Sequence, residues 1–337
     1  MDKLQPLSAK LGEVNFRRKL VHQNLDGQTY FPTEPSHQEI LKILQDRIKT
    51  TKQIFQKLEK MGLLTGPFLE IGAERGQRAM VLTSDFKVKG YACDLSFESL
   101  SSAKWYAKYF KFKKLPTLVC ADAYHLPFGD GSFPFVFCFE TLHHFPDPTP
   151  IIKEIYRVLR PGGVFYFAEE PVKQMFNLAL WRRGYRLNKI EEILRKTKLL
   201  IFLSRIGKAE VCNGVLEEEF SLGRWKKALS VFEKVETEIS PIFIGPKSSL
   251  VFKNRQWSGP SILTQFYVAL QGGGLGGLCY KKPVPQTLPL KIEPSLICPD
   301  CKKKLNQFSC PKCHRKFKEK NGVLMLLPIE LQKKLYG

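Results

Sequence analysis

Four of the nine cysteines, Cys298, Cys301, Cys310 and Cys313, are spaced C-x2-C-x8-C-x2-C. Two such knuckles can bring four thiolates into a tetrahedral array, the closed arrangement of a structural zinc site, with rubredoxin-like iron as the alternative for four sulfur ligands. A second set of residues could hold a nucleoside. Leu69-Glu70-Ile71-Gly72-Ala73-Glu74-Arg75-Gly76 places two glycines where a chain can turn tightly and approach a ligand closely. Asp94 and Asp122 each follow a short apolar run. A carboxylate at Asp94 can accept both hydroxyls of a ribose. One at Asp122, with the backbone amide after it, can read the amine and ring nitrogen of an adenine. A third set, Glu140, His143 and His144, could position an acceptor and take its proton, since histidine titrates near neutral pH. A glycine loop alone is a turn, and an Asp after a strand is commonly a helix cap. The order and spacing of all these features together carry the argument.

The elements that must position them follow from periodicity. Ser36-His37-Gln38-Glu39 is a capping box, and Ile40, Leu41, Leu44, Ile48, Phe55, Leu58 and Met61 follow at near-helical spacing. One long amphipathic helix is predicted up to Gly62, while the first 35 or so residues are polar and weakly periodic. From Pro67 short apolar runs alternate with helical segments. Strands are predicted at 68–71, 88–93, 118–121, 133–139 and 164–168, with Gly72–Gly76, Asp94 and Asp122 at their ends. Residues 235–239 and 275–280 make a sixth and a seventh. This alternation predicts an α/β fold with a doubly wound parallel sheet, whose ligand crevice lies at the carboxyl ends of the strands. Residues 171–234 read as mostly helical and basic. Pro-rich residues 283–295 form a linker before the cysteine module at 296–329.

In order, LEIGAERG, GYACDLS, CADAYHLPF, DGSFPFVFCFETLHHF and EIYRVLRPGGVFYFAEEP resemble the class I, seven-strand S-adenosylmethionine-dependent methyltransferases. The resemblance covers residues 67–170. It implies a Rossmann-like seven-strand domain over 67–282, preceded by an N-terminal segment and helix over 1–66, with residues 171–234 as a helical lid over the acceptor. It implies Glu70, Gly72, Ala73 and Gly76 around the methionine end of S-adenosyl-L-methionine, Asp94 and Leu95 at the ribose and adenine, and Asp122 and Ala123 at the adenine. Phe139 and Glu140 would line the mouth where acceptor meets methyl group. Two residues depart from the pattern: Glu74 stands where a glycine is usual, and Pro134 where an Asp usually follows the phenylalanine. A nicotinamide dehydrogenase is disfavoured because G-x-G-x-x-G is absent. The cysteine module resembles small zinc-ribbon proteins that activate RNA and protein methyltransferases as separate subunits, here fused in cis. It could guide RNA, cover an edge of the catalytic domain or dock a partner.

Composition is that of a folded protein: 43% apolar and 25% charged residues over 337 positions. No run reaches the roughly 20 apolar residues of a membrane helix, and Met1 to Leu11 has no secretory pattern. A cytoplasmic protein is expected. The formal net charge is +21, yet residues 67–170 are balanced, twelve basic against twelve acidic. The excess flanks them, chiefly over 171–234 and 281–337, and such a surface attracts polyanions. Trp181-Arg182-Arg183-Gly184-Tyr185-Arg186 could grip phosphate or stack on rings. The acceptor is therefore expected to be RNA or a small hydroxylated metabolite such as a saccharide. The sequence carries no Asn-Pro-Pro-aromatic motif and no Pro-Cys loop, so two common base methylations are disfavoured. A non-catalytic scaffold acting through the basic surface and ribbon is the alternative.

Overall fold

Period-two alternation along short apolar runs builds two cores on opposite faces of one sheet. In the computed structural model, which describes residues 4–26, 35–241, 247–254, 256–259, 261–283 and 293–337, five strands form its parallel centre. They are β1 (Phe68–Ile71), β2 (Gly90–Asp94), β3 (Thr117–Cys120), β4 (Phe133–Phe139) and β5 (Leu159–Val172). Phe135, Phe137 and Phe139 of β4 enter one core while Val136 and Cys138 enter the other. Each fully buried phenylalanine is worth about 1.5–3 kcal/mol against exposure. The order β5-β4-β1-β2-β3 means that the chain leaves β1 in opposite directions, so the crevice opens beside β1.

The remaining strands enlarge this centre beyond the seven expected. β6 (Trp181–Arg183) and β7 (Ser204–Ile206) make a separate parallel pair. β8 (Lys234–Pro241), β9 (Ser248–Lys253), β10 (Gln256–Ser258) and β11 (Gly273–Tyr280) extend the sheet from β5, with β11 inserted antiparallel between β5 and β8. At the other edge β12 (Glu319–Lys320) and β13 (Val323–Met325) belong to the cysteine module, and β13 lies parallel to β3. The result is a mixed, Rossmann-like sheet of eleven strands. Two corrections to the predicted seven have plain causes. The β9–β10 hairpin is short and half polar, so its alternation was too brief to read. β13 reads as a local apolar run and becomes a sheet strand only through pairing about 200 residues back in the chain.

Helices cover both faces. α1 (Leu7–Asp26) was not expected; it buries Lys10 and Gln23 beside Ala9, Val14, Phe16 and Val21, so polar and apolar residues mix along it and no clean apolar stripe shows. α2 (His37–Lys60) matches its capping box, with Ser36 Oγ accepting from the Glu39 N–H and Glu39 returning to the Ser36 N–H. α3 (Gln77–Ser84) follows the glycine loop, α4 (Phe97–Ser101) and α5 (Ala103–Tyr109) follow β2, and α6 (Thr149–Val158) precedes β5. β5 begins earlier than predicted, because Leu159 already pairs with Phe133; the register shifts between Phe133 and Phe135, so Pro134 sits where a ladder N–H is not needed. Residues 171–234 are not mostly helical. They hold four short helices (189–196, 200–203, 208–212 and 222–229) beside the β6–β7 pair. Most of the predicted linker, residues 284–292, lies outside the described residues. A last helix, Ile329–Tyr336, packs beside β2 and β3.

Candidate active site

The ends of β1, β2 and β3 converge on a cavity of about 80 Å³ lined by Gly72, Asp94, Leu95, Asp122 and Ala123, together with Glu140, Thr141 and His144. Gly72 has φ +66°, and a Cβ there would lie 2.4 Å from the Thr141 hydroxyl, so the loop needs glycine. Asp94 accepts from the Glu74 N–H at 2.7 Å and the Ser96 N–H at 2.8 Å. Burial raises its carboxyl to about 6, against the pull of those two N–H groups and Arg17. Asp122 is buried and already paired: Lys10 Nζ of α1 lies 2.6 Å from Oδ2, and the Tyr124 N–H donates to Oδ1 at 3.1 Å. Burial would raise Asp122, but His125 and Lys10 hold it below its ordinary value.

Glu74 lines the cavity, and its negative charge there is balanced by arginines. It adopts φ +52°, which explains why glycine suits this position in the resembling family. Arg75 lies 2.7 Å from Glu74 Oε1, and Arg17 and Arg47 lie 3.5 Å from its two oxygens. Burial opposes ionisation, yet these guanidinium groups hold the carboxyl down at about 2. Of the residues expected around the methionine end, Gly72 alone lines the cavity. Glu70 turns away instead: it accepts from the Ala79 N–H at 2.9 Å, and burial pushes it up to about 8. Ala73 and Gly76 shape the loop, and Gly76 precedes α3 at φ +70°.

A second cavity of about 390 Å³ adjoins the first, sharing Arg17, Gly72, Glu74, Glu140 and His144. Residues from the 171–234 segment, among them Arg182, Arg205 and Glu217, form its far wall. Phe139 faces this second space rather than the first, with the Arg78 guanidinium 4.2 Å above its ring. Glu140, at φ +47°, lies 3.4 Å from Arg47 and 3.6 Å from Arg78.

Both histidines reach this wall. The turn Leu142–His144 hangs from one carboxylate, Glu170 at the end of β5. Glu170 accepts from the N–H groups of Thr141 and Leu142 at 2.9 Å and of His143 at 3.1 Å, and from His143 Nδ1 at 3.0 Å. That leaves His143 Nε2 3.8 Å from Glu217 Oε2. Burial works against charge on His143, but Glu170 and then Glu217 outweigh it and raise the imidazole to about 8. His144 Nδ1 donates to the Leu216 carbonyl at 2.9 Å. Glu170, Glu217, Arg78 and the polar face of α1 were missed in the sequence. Glu170 had a readable signal, since it is a carboxylate at a strand end just as Asp94 and Asp122 are. The others come from segments with no motif.

The four cysteines of the knuckles converge at the other edge, their sulfurs all within 4.8 Å of one another. Cys298 Sγ and Cys313 Sγ lie 3.8 Å apart. That matches the edge of a tetrahedron with metal–sulfur bonds of about 2.3 Å. The N–H groups of Cys301 and Cys313 point at Cys298 Sγ and Cys310 Sγ, at 3.4 and 3.5 Å. The donor set fits one tetrahedral ion. The module covers the sheet edge. Besides the β13–β3 pairing, the Leu326 N–H donates to the Cys120 carbonyl, and Tyr336 Oη bridges the Leu95 carbonyl (2.7 Å) and the Phe97 N–H (2.9 Å).

Residues 69–167 match the model of a methyltransferase domain. The 27-O-demethylrifamycin SV methyltransferase of Amycolatopsis mediterranei is 36% identical over 97 residues, 28% of this chain and 35% of that protein. Methyltransferase GfsG of Streptomyces halstedii is 28% identical over 144 residues, 43% of this chain and 50% of that protein. The chain thus spans half or less of the length of these curated relatives. Among solved structures, the [4+2]-cyclase SpnF covers 84% of this chain and 99% of its own, at 16% identity and a TM-score of 0.46. The matched stretch, residues 69–167, supplies Gly72, Asp94, Asp122 and the two histidines and forms the parallel centre of a Rossmann-like sheet.

Proposed function

We propose that the protein is an S-adenosylmethionine-dependent methyltransferase acting on a small molecule. The carrying observation is the junction of the two cavities: the strand-end cavity with Asp94 and Asp122 opens beside Gly72 and Glu140 into a larger space walled by the 171–234 segment. When bound, the cofactor supplies a methyl group on a positively charged sulfur. Asp94 would orient the ribose, Leu95, Asp122 and Ala123 the adenine. Gly72 lets the chain pass close to the methionine end. Phe139, Glu140 and Arg78 frame the path to the acceptor. His143, held by Glu170, is the base that takes a hydroxyl proton once it is neutral, a form that gains as pH rises through about 8; His144 and Glu217 complete that wall. The pocket of about 390 Å³ suits a small acceptor. The relatives that match, by their names, act on a rifamycin and, in Marinomonas, on malonyl-[acyl-carrier protein]. The flanking charge does not favour RNA over other polyanions. Cys298, Cys301, Cys310 and Cys313 would hold structural zinc.

Calorimetry of the zinc-loaded protein with S-adenosylmethionine and S-adenosylhomocysteine tests the reading. Micromolar binding, about −8 kcal/mol, is expected, and Asp94→Ala should weaken it strongly without unfolding the chain. No binding by folded protein would replace this reading with the scaffold.

A further inference from the structure

Helix Ile262–Gln271 contains no charged residue, and its Ile262, Leu263, Phe266 and Tyr267 are between 50% and 85% exposed. Those positions form one helix face. Residues 174–180 run alongside. Gln174 Nε2 donates to the Gln271 carbonyl at 2.8 Å, and the Met175 N–H donates to the Ala269 carbonyl. Met175, Phe176, Leu178 and Leu180 of this segment are again exposed. On its other side the N–H groups of Leu178 and Leu180 donate to the Phe202 and Leu203 carbonyls, both at 2.8 Å. The neighbouring helix Lys189–Lys196 leaves Ile190 and Ile193 in water, at 70% and 62% exposure. Three adjoining elements therefore show large apolar side chains to solvent, which a soluble surface avoids unless something covers it.

The charge around this face names the cover. Residues 171–200 hold eight basic side chains against two acidic ones. Beside them a cleft of about 370 Å³ is lined by Trp181, Arg182, Arg183, Arg186 and Lys208 with a single carboxylate, Glu191, and Arg186 also pairs with Glu39. Apolar side chains interleaved with lysine and arginine suit an interface with anionic headgroups, the first entering the acyl boundary and the second meeting phosphate. Arg182 lines both this cleft and the acceptor pocket. We propose that this face seats the protein on an anionic lipid bilayer, and that the acceptor is an amphiphile whose head group reaches the pocket past Arg182. The second half of this proposal rests on the methyl-transfer reading; the first does not.

Co-sedimentation of the full chain with vesicles separates the cases. Phosphatidylcholine vesicles and vesicles of phosphatidylcholine with phosphatidylglycerol are compared, with wild type and the double variant Ile262→Ser, Phe266→Ser. The expected result is pelleting with the anionic vesicles, weaker with neutral ones and at high salt, and reduced about tenfold or more in the double variant. The same circular dichroism in both proteins shows that folding is not at issue. Absence of pelleting with anionic vesicles at low salt overturns the proposal. So does equal pelleting by the double variant, or a wild-type dimer that the double variant converts to a monomer, which would make a second copy the cover. Vesicle binding needs no cofactor, so a failure to bind S-adenosylmethionine sinks the methyl-transfer reading and leaves the bilayer result standing.

Discussion

At the scale of single residues, two carboxylates decide what the site can do. Asp94, raised to about 6 by burial, is fully ionised only above neutral pH. If its carboxylate receives the ribose hydroxyls, cofactor affinity rises with pH through about 6 and is about tenfold weaker near pH 5 than near pH 7. Calorimetry across that range reads it, and a flat profile would remove Asp94 from the site. Glu170 is the second. It is fully buried and gathers three N–H groups and an imidazole. Glu170→Ala strands all of them and should cost about 3–5 kcal/mol in denaturant unfolding. Glu170→Gln should lower the His143 pKa, visible by NMR. His143 is raised from its ordinary 6.5 to about 8 when folded, so its share of stability is complete below 6.5 and is lost as pH rises through 8. Glu170 is held below its ordinary range, so its share holds above that range and disappears as the carboxyl protonates on the acid side. Strand-end carboxylates and metal-spaced cysteines were legible because their chemistry needs fixed local spacing. Glu217 and Arg78 were not, since only the fold brings them to the pocket.

At the scale of elements, α1 and α2 make the contrast. α2 announced itself through a capping box and an apolar stripe. α1 buries Ala9, Val14, Phe16 and Val21, but polar residues stand among them, with Lys10 paired to Asp122 and Arg17 to Glu74, so no continuous apolar stripe was there to read. Its Glu13 and Arg17 line the strand-end cavity, so α1 forms one wall of the candidate site. Gly12 sets its seat: a Cβ there would lie 2.6 Å from the Gly214 carbonyl carbon. Gly12→Ala should therefore loosen α1, raising amide exchange over residues 7–26 and speeding cofactor release, with little change in the sheet. Unchanged exchange would mean that α1 is not seated through Gly12. The 171–234 segment shows the opposite failure of pattern reading. Its helical stretches were visible, but the β6–β7 pair and the short turns between them depend on partners remote in sequence.

At the scale of the whole molecule, the cysteine module and the sheet are one structure. Removing metal with a chelator should release one zinc per chain, lower the melting temperature and expose the amides of β3, because β13 pairs with β3. Loss of metal without any change at β3 would show the two parts to be independent. The five central parallel strands were legible from alternation alone, and the eleven-strand total was not, because edge strands are defined by what they pair with. The β3–β13 pairing has a consequence for the life of the protein. Translation produces β3 about 200 residues before β13, and until metal gathers the knuckles β3 offers a bare row of N–H and C=O groups to any passing chain. Tyr336 ties that late segment to the carbonyl of Leu95, a residue that lines the strand-end cavity. If the knuckles hold zinc as proposed, shortage of the metal should show as aggregation of newly made chains rather than as a pool of folded, metal-free protein.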